Sequence, residues 1–378
     1  MNLTRSFQKI LEKRLREESP LLQILLGPRQ VGKTTAAEEI YKNWQGPKLL
    51  VSADHPTPPH AEWIAWQWEK AKSLGKGTLL IIDEVQKING WSEQIKRLFD
   101  PERGKGNLKI LLLGSSSLYL QRGLRESLVG RFELVTANHW SFSECQSFFH
   151  WNFEEYLRFG AYPGAAPFAK DEDRWKKYIL NSVIEPVLSK DILGQHPVAN
   201  PALFRQTFEL AMHYPAQVVS FQKLLGQLQE RGNASTIKHY LTLFEQAFLI
   251  RLLPKYSGSA LQTKTSSPKI IPLNPALVLA YQTRKRLEDD PSWYGFFFEA
   301  IMGMHLLRQA DTEVFYWKKG DAEVDYVLKK PEETIAIEIK SGRKKTTKGL
   351  HEFSKAYPQA RCESWGFEEC LRYLTQVE

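Results

Sequence analysis

Residues 25–35 read LLGPRQVGKTT, and their meaning depends on what stands on either side. Leu21 to Leu26 is an apolar run of strand length, and Gly27-Pro28-Arg29-Gln30-Val31-Gly32-Lys33-Thr34 fits the pattern G-x-x-x-x-G-K-[ST] between that strand and a helical stretch. Glycines at both ends let a backbone wrap phosphate groups, so that its N–H groups and the start of the next helix point at negative charge. Gly27 to Thr35 is therefore the candidate cradle for a nucleoside triphosphate. Lys33 would lie on the β- and γ-phosphates, and Thr34 would offer its hydroxyl to magnesium.

A loop of this kind needs acids to make a hydrolase, and TLLIIDEVQKI (78–88) supplies them. Leu79 to Ile82 predicts a buried central strand, ending in Asp83, placed for the magnesium water shell, and Glu84, placed to polarise an attacking water. A second buried strand, LKILLLGSSS (108–117), ends in Ser115, Ser116 and Ser117, and SLVGRFELV (127–135) brings Arg131 after Gly130. These segments, with SFSE (141–144) and FGAYP (159–163) after them, resemble the prokaryotic AAA+-type ATPases that carry a DUF4143 region after the ATPase core. The resemblance implies an ATP-hydrolysing enzyme with ATP and Mg2+ as cofactors, an α/β P-loop core, and sites shared between subunits of a homo-oligomer. It also implies that Ser115 and Ser116 report on the γ-phosphate. As residues they serve equally well to end a strand and cap the next element. Arg131 would compensate γ-phosphate charge in its own subunit or a neighbour's, or else form an ordinary ion pair, and Arg125 is open to the same role.

With 378 residues the chain exceeds one ordinary core, and two or three domains are expected from length. At 42% hydrophobic and 25% charged residues it reads as globular. Its wholly apolar runs fall far short of the roughly 18–20 residues of a membrane span. The N-terminal MNLTRSFQKILEKRLREESP alternates apolar and charged residues at helical spacing, unlike a signal peptide, so a cytoplasmic location is expected. Cys145, Cys362 and Cys370 are too few and scattered for a disulfide framework or a zinc site. A net charge of +8 favours polyanionic partners without naming one.

Motif by motif, the chain divides into an ATPase core (1–145), a helical lid (146–196), a winged helix-turn-helix (197–256) and a nuclease-like domain (257–378). The lid is inferred from apolar residues at helical spacing, among them Phe153, Tyr156, Leu157, Ile179, Val183, Val187 and Leu188, with a break at Gly160–Gly164. Residues 202–258 read as helix, turn, short helix from Ser220, turn at Gly232-Asn233, long helix, then a strand-like LIRLLP. Ser220 and Asn233 suit N-caps. In that order the later helix enters a DNA major groove, with Thr236, Lys238 and His239 facing it. The same fold also docks proteins, and no strongly basic stripe decides between the two.

In the last third, FFFEAIMGMHLLRQ (296–309) predicts an amphipathic helix with one acid, Glu299. A hairpin-like pair, EVFYWKKGDAEVDYVLKK (313–330), brings up Asp325, and TIAIEIKSG (334–342) puts Glu338 and Lys340 on one strand face. Asp, then Glu-x-Lys, with a preceding helical Glu, resembles the PD-(D/E)xK nucleases, and within them the archaeal-type Holliday-junction resolvases. That resemblance implies a restriction-endonuclease-like α/β domain. Glu299, Asp325 and Glu338 would hold magnesium against a phosphodiester while Lys340 orients the attacking water. An ion pair of Glu338 or Asp325 with Lys340 is the plain structural alternative. Arg343, Lys344, Lys345 and Lys348 come next, suited to a DNA backbone or simply to solvent. The expected function is a magnesium-dependent ATPase acting on DNA, branched DNA included. The alternative is a nucleotide switch regulating a protein partner through an inactive nuclease-like platform.

Overall fold

The computed structural model describes residues 4–18, 21–115, 127–228, 230, 232–257, 266–283, 285–342 and 348–376. The chain folds as two compact units: residues 1–139 with 189–196, and residues 140–188 with 197–378.

In the first unit helix α1 (Ser6–Arg16) precedes β1 (Leu22–Gly27), α2 (Lys33–Asn43), β2 (Lys48–Ser52), α3 (Ala61–Ser73), β3 (Thr78–Asp83), α4 (Trp91–Phe99), β4 (Leu108–Ser115) and β5 (Phe132–Thr136). The five strands form one sheet in the order β2-β3-β4-β1-β5, and every pair is parallel. Parallel strands need crossovers that cover both faces, so their sequences become near-continuous apolar runs. β1 (LQILLG) and β3 (TLLIID) are accordingly buried along their whole length. The interleaving of β4 between β1 and β3 brings the carboxyl ends of these three strands together at one edge, where ligands of open α/β sheets bind.

The second unit opens with helices α5 (Phe142–Phe149), α6 (Phe153–Phe159) and α7 (Glu172–Tyr178), and the chain continues as π-helical turns over Ile179–Ile184 and Val187–Leu193. Capping boxes start α5 (Ser141 with Glu144) and α6 (Asn152 with Glu155). Next come α8 (Pro201–His213), α9 (Phe221–Leu225), α10 (Ala234–Gln246), β6 (Ile250–Leu253) and β7 (Lys269–Pro272). Ser220 and Asn233 cap α9 and α10 through the N–H groups of Lys223 and Thr236, at 3.2 and 2.8 Å. β6 and β7 are antiparallel, and Val218, between α8 and α9, bridges to Lys269 on β7. Helix, a single bridging residue, two helices and a two-stranded ribbon thus succeed one another in that order.

After α11 (Pro275–Leu279) and α12 (Lys285–Asp289), the long α13 (Pro291–Leu306) leads into β8 (Glu313–Lys319), β9 (Ala322–Lys329), β10 (Thr334–Ile339), α14 (Lys348–Ala356), β11 (Arg361–Trp365) and α15 (Phe367–Gln376). The sheet order is β11-β10-β9-β8, antiparallel through β8, β9 and β10 and parallel between β10 and β11. α14 is the crossover that the parallel pair requires. No helix among the described residues is long and apolar enough to cross a membrane.

Candidate functional sites

The loop Gly27–Gly32 connects the end of β1 to the start of α2, and two glycines show why its sequence is constrained. A Cβ at Gly27 would lie 2.1 Å from the carbonyl oxygen of Ala137, so the neighbouring strand leaves no room for a side chain. Gly32 has φ +93°, a left-handed conformation that costs other residues about 1–2 kcal/mol. The loop is further tied down by Arg5, whose guanidinium donates to the Val31 carbonyl at 2.7 Å and to that of Asn138 at 3.0 Å.

Lys33 is buried and turns its ammonium back onto the loop, donating to the carbonyls of Gly27 (2.9 Å) and Pro28 (2.6 Å). Burial lowers its pKa to about 8, against the opposing pull of Glu84 and Asp83. Thr34 and Thr35 are exposed in the first turn of α2, and the Thr34 hydroxyl donates to Asp83 Oδ2 at 2.9 Å. A hydroxyl and a carboxylate at that spacing, beside a phosphate-sized loop, suit magnesium, which takes one or two carboxylates and completes its shell with water and substrate oxygens. Glu84 comes next, in the left-handed region at φ +54°. Its carboxylate accepts from the Gln86 amide and from Ser115 Oγ (3.3 Å), and Gln86 also reaches Ser115 Oγ at 3.2 Å. Glu84, Gln86 and Ser115 therefore form one polar cluster at the ends of β3 and β4.

Ser115 is thus beside Glu84, whereas Ser116 and Arg125 lie outside the described residues. Arg131 is elsewhere. Its backbone carbonyl pairs with Leu22 at the opening of β1, the end of the sheet opposite the loop, and its guanidinium grips Asp100 at 2.5 and 3.0 Å. A parallel strand of this length separates it from its own subunit's phosphates, which removes the within-subunit role.

Sequence reasoning missed Gln86, Arg5 and Asp191. Arg29 of the loop forms a two-pronged ion pair with Asp191, a buried carboxylate on the π-helical turn. The pair holds the Arg29 guanidinium above its ordinary pKa, while burial pushes Asp191 up against the pull of Arg29. Gln86 was visible only as a polar position in EVQK, and nothing local ties Asp191 to Arg29.

The C-terminal acids gather in the second unit. Glu299 on α13 is buried, Asp325 on β9 accepts from the Ile339 N–H at 2.7 Å, and Glu338 on β10 is paired with Lys340. At their centre is a residue absent from the expected set. Lys269 of β7 is wholly enclosed, and its ammonium donates to Glu299 Oε1 at 2.6 Å and lies 3.1 Å from Glu323 Oε1 and 3.4 Å from the Asp325 carbonyl. Burial opposes its charge, but Glu299, Asp325 and Glu323 outweigh burial and raise its pKa well above the ordinary lysine value. Burial and Asp325 push the Glu299 carboxyl up to about 8 against Lys269, and burial likewise raises Asp325 and Glu338. Among the described residues, no group of three or more His, Cys, Asp or Glu side chains is arranged to hold a metal ion. The expected trio of Glu299, Asp325 and Glu338 does not hold magnesium in this geometry, because the Lys269 ammonium stands against the Glu299 carboxylate and the Asp325 backbone.

On α10, Lys238 and His239 are exposed, while Thr236 is engaged in the cap, its hydroxyl 3.0 Å from Asn233 Oδ1. Lys348 is exposed at the start of α14, and Arg343, Lys344 and Lys345 lie outside the described residues.

Known families cover most of the chain. Residues 19–146 match the AAA domain family AAA_14, 150–288 match DUF8612 and 294–367 match DUF4143, both domains of unknown function. No curated protein matches. Among solved structures, the Walker-type ATPase of Pyrococcus abyssi is similar at 16% identity and a TM-score of 0.53, over 75% of this chain and 96% of that one. The Thermotoga maritima RuvB Holliday junction branch migration motor aligns at 17% identity and a TM-score of 0.31, over 65% and 90% of the two chains.

Proposed function

We infer, for a chain that is a P-loop ATPase of AAA type with a C-terminal DUF4143 region, that it hydrolyses ATP with magnesium and couples this to DNA. The observation that carries hydrolysis is the cluster at the ends of β3 and β4. Glu84 has its carboxylate fixed by Gln86 and Ser115, one residue from the acid that accepts the Thr34 hydroxyl. A carboxylate held in one orientation beside the phosphate loop is what activation of an attacking water calls for.

Thr34 and Asp83 would hold the magnesium ion, which when bound offsets charge on the phosphates. Lys33, released from the carbonyls of Gly27 and Pro28, binds the β- and γ-phosphate oxygens. Glu84 takes the proton of the attacking water, and Ser115, hydrogen-bonded to it, senses whether the γ-phosphate is present. Arg131, remote from its own loop, could serve a neighbouring subunit's nucleotide in a homo-oligomer only by leaving its ion pair with Asp100. Residues 197–256 with β7 support a winged helix: three helices, a strand bridge at Val218 and an antiparallel ribbon, with Lys238 and His239 exposed on the helix that would enter the groove. The order α13, β8-β9-β10, α14, β11 supports a nuclease-like fold for the C-terminal region. No cleavage step is derived for it, because its carboxylates are already partnered.

ATP turnover measured with magnesium, alone and with single-stranded, duplex or four-way-junction DNA, tests this directly. Glu84→Gln is expected to lose turnover by about 10²–10⁴-fold while keeping nucleotide binding, and one DNA form is expected to stimulate the unmodified protein. Turnover that no DNA form changes would favour the alternative, a nucleotide switch acting on a protein partner. The lysine within the C-terminal acid cluster is the observation on that side.

A further inference from the structure

We propose that Lys269 stands where a metal ion would stand in the C-terminal domain, so that this domain binds no divalent cation at its acid cluster and does not cut phosphodiesters. An ammonium has three protons to donate. The three oxygens nearest Lys269 Nζ match that number: Glu299 Oε1 at 2.6 Å, Glu323 Oε1 at 3.1 Å and the Asp325 carbonyl at 3.4 Å. The rings of Tyr316 and Tyr326 also lie against the ammonium, their centroids 5.9 and 5.6 Å from the nitrogen. Such aromatic faces favour a cation and offer nothing to the water shell that magnesium keeps.

The competition is for the same atoms. A divalent ion on Glu299 would lie about 2.0–2.1 Å from a carboxylate oxygen, in space that the Lys269 ammonium fills at 2.6 Å from Oε1. The other contacts of these acids, Lys318 with Glu323 at 2.7 Å, the Ile339 N–H with Asp325 Oδ2 and Lys340 with Glu338 Oε1, each engage one oxygen of a carboxylate that has two, so it is Lys269 that excludes an ion. One carboxylate oxygen, Glu338 Oε2, is buried without a partner, and one oxygen does not make a metal site. Lys269 comes from the ribbon strand β7, outside the segment that supplies the acids. The cation is therefore built into the fold and cannot be exchanged as an ion would be.

The test uses the full chain without nucleotide and reads Mn2+ uptake by the electron paramagnetic resonance signal of the free ion. The unmodified protein is expected to take up no Mn2+ that depends on Asp325 or Glu338, a condition that sets aside any weak binding at Thr34 and Asp83. Lys269→Met is expected to gain one ion per chain, lost again when Glu299→Gln is added. Uptake by the unmodified protein that Asp325→Asn abolishes would overturn the proposal, and this arm stands even if Lys269→Met does not fold. A folded Lys269→Met that takes up no ion would overturn it as well, since the lysine would then not be what excludes the metal.

Discussion

Replacing Lys269 by methionine removes a charge from the interior of the second unit and leaves Glu299, Glu323 and Asp325 facing one another. Once Glu299 is ionised, the direct attraction at its 2.6 Å separation from Lys269 and an effective dielectric constant near 20 is on the order of 6 kcal/mol. Desolvation offsets part of it, and removing one partner of a buried pair typically costs about 3–5 kcal/mol. The pH dependence carries a sign. Glu299 has a folded pKa of about 8, above its unfolded value, so the stability linked to it is present below the unfolded value and declines as pH rises towards 8. Without Lys269 the folded value goes higher still and the decline continues beyond 8. The Lys269→Met penalty is therefore expected to be flat through neutral pH and to widen in alkali, by up to about 1.4 kcal/mol per pH unit. Amide hydrogen exchange in β7, β9 and β10, followed by mass spectrometry at pH 7 and pH 9, reads this locally without assuming that the whole chain unfolds in one step. Adding Glu299→Gln should recover about 1–3 kcal/mol, because the two changes together remove a pair and strand one charge fewer. Additive penalties to within about 0.5 kcal/mol, or a penalty that narrows above pH 8, would refute the ion-pair reasoning.

The nucleotide site yields three more expected outcomes. Because burial holds Lys33 near a pKa of about 8 and phosphate oxygens favour its charged form, ATP binding is expected to take up protons, and so to weaken, as pH rises above 8. Calorimetry in two buffers of different ionisation enthalpy measures the uptake. Asp191→Ala leaves Arg29 without its two-pronged partner and should destabilise the first unit by about 1.5–3 kcal/mol, with Arg29→Ala adding little on top, as read by thermal unfolding of the single and double variants. Gly27→Ala should abolish nucleotide binding, since its Cβ would meet a backbone oxygen at 2.1 Å, whereas Gly32→Ala, with open space around it and only its φ to strain, should cost about 1–2 kcal/mol.

The nucleotide site was legible because its chemistry is local. Gly27 to Thr34 is one contiguous loop, and Asp83-Glu84 announces itself as an acid pair at the end of an apolar strand. Ser115 stands out in the same way, as the first hydroxyl after an apolar run long enough for a buried strand. What escaped were partners set by the packing of distant segments. Arg29 and Asp191 are far apart in sequence, and Arg5 reaches Val31 from the first helix. Arg131 shows why a sequence leaves a site open between subunits. An arginine after a glycine near a strand looks available to phosphate until the parallel sheet puts the start of β5 at the far end from the loop. In the last third, Glu299, Asp325 and Glu338 lie on the helix and strands expected, with Lys340 just past the end of β10, but a pattern of acids does not say which cation they face. Lys269 sits in KIIP, where a period-two reading gives no hint that its side chain turns into carboxylates of a later segment.

Two buried lysines separate the two sites by chemistry. Lys33 rests on backbone carbonyls, neutral acceptors that a triphosphate can outbid with full negative charge, and its lowered pKa records an ammonium poorly compensated without ligand. Lys269 rests on carboxylates, with its pKa raised, and nothing an incoming anion could offer would improve on them. Charge-assisted contacts of that kind are about twice as strong as neutral ones. The first lysine is therefore poised to exchange partners and the second to keep them. On this ground the ATP loop is the site where binding changes the protein's internal contacts, and the C-terminal acid cluster is one that keeps its contacts fixed. If the domain touches DNA, it does so through its surface, where Lys348 is exposed, and such binding should weaken steeply with salt while remaining indifferent to substitutions at Asp325 and Glu338.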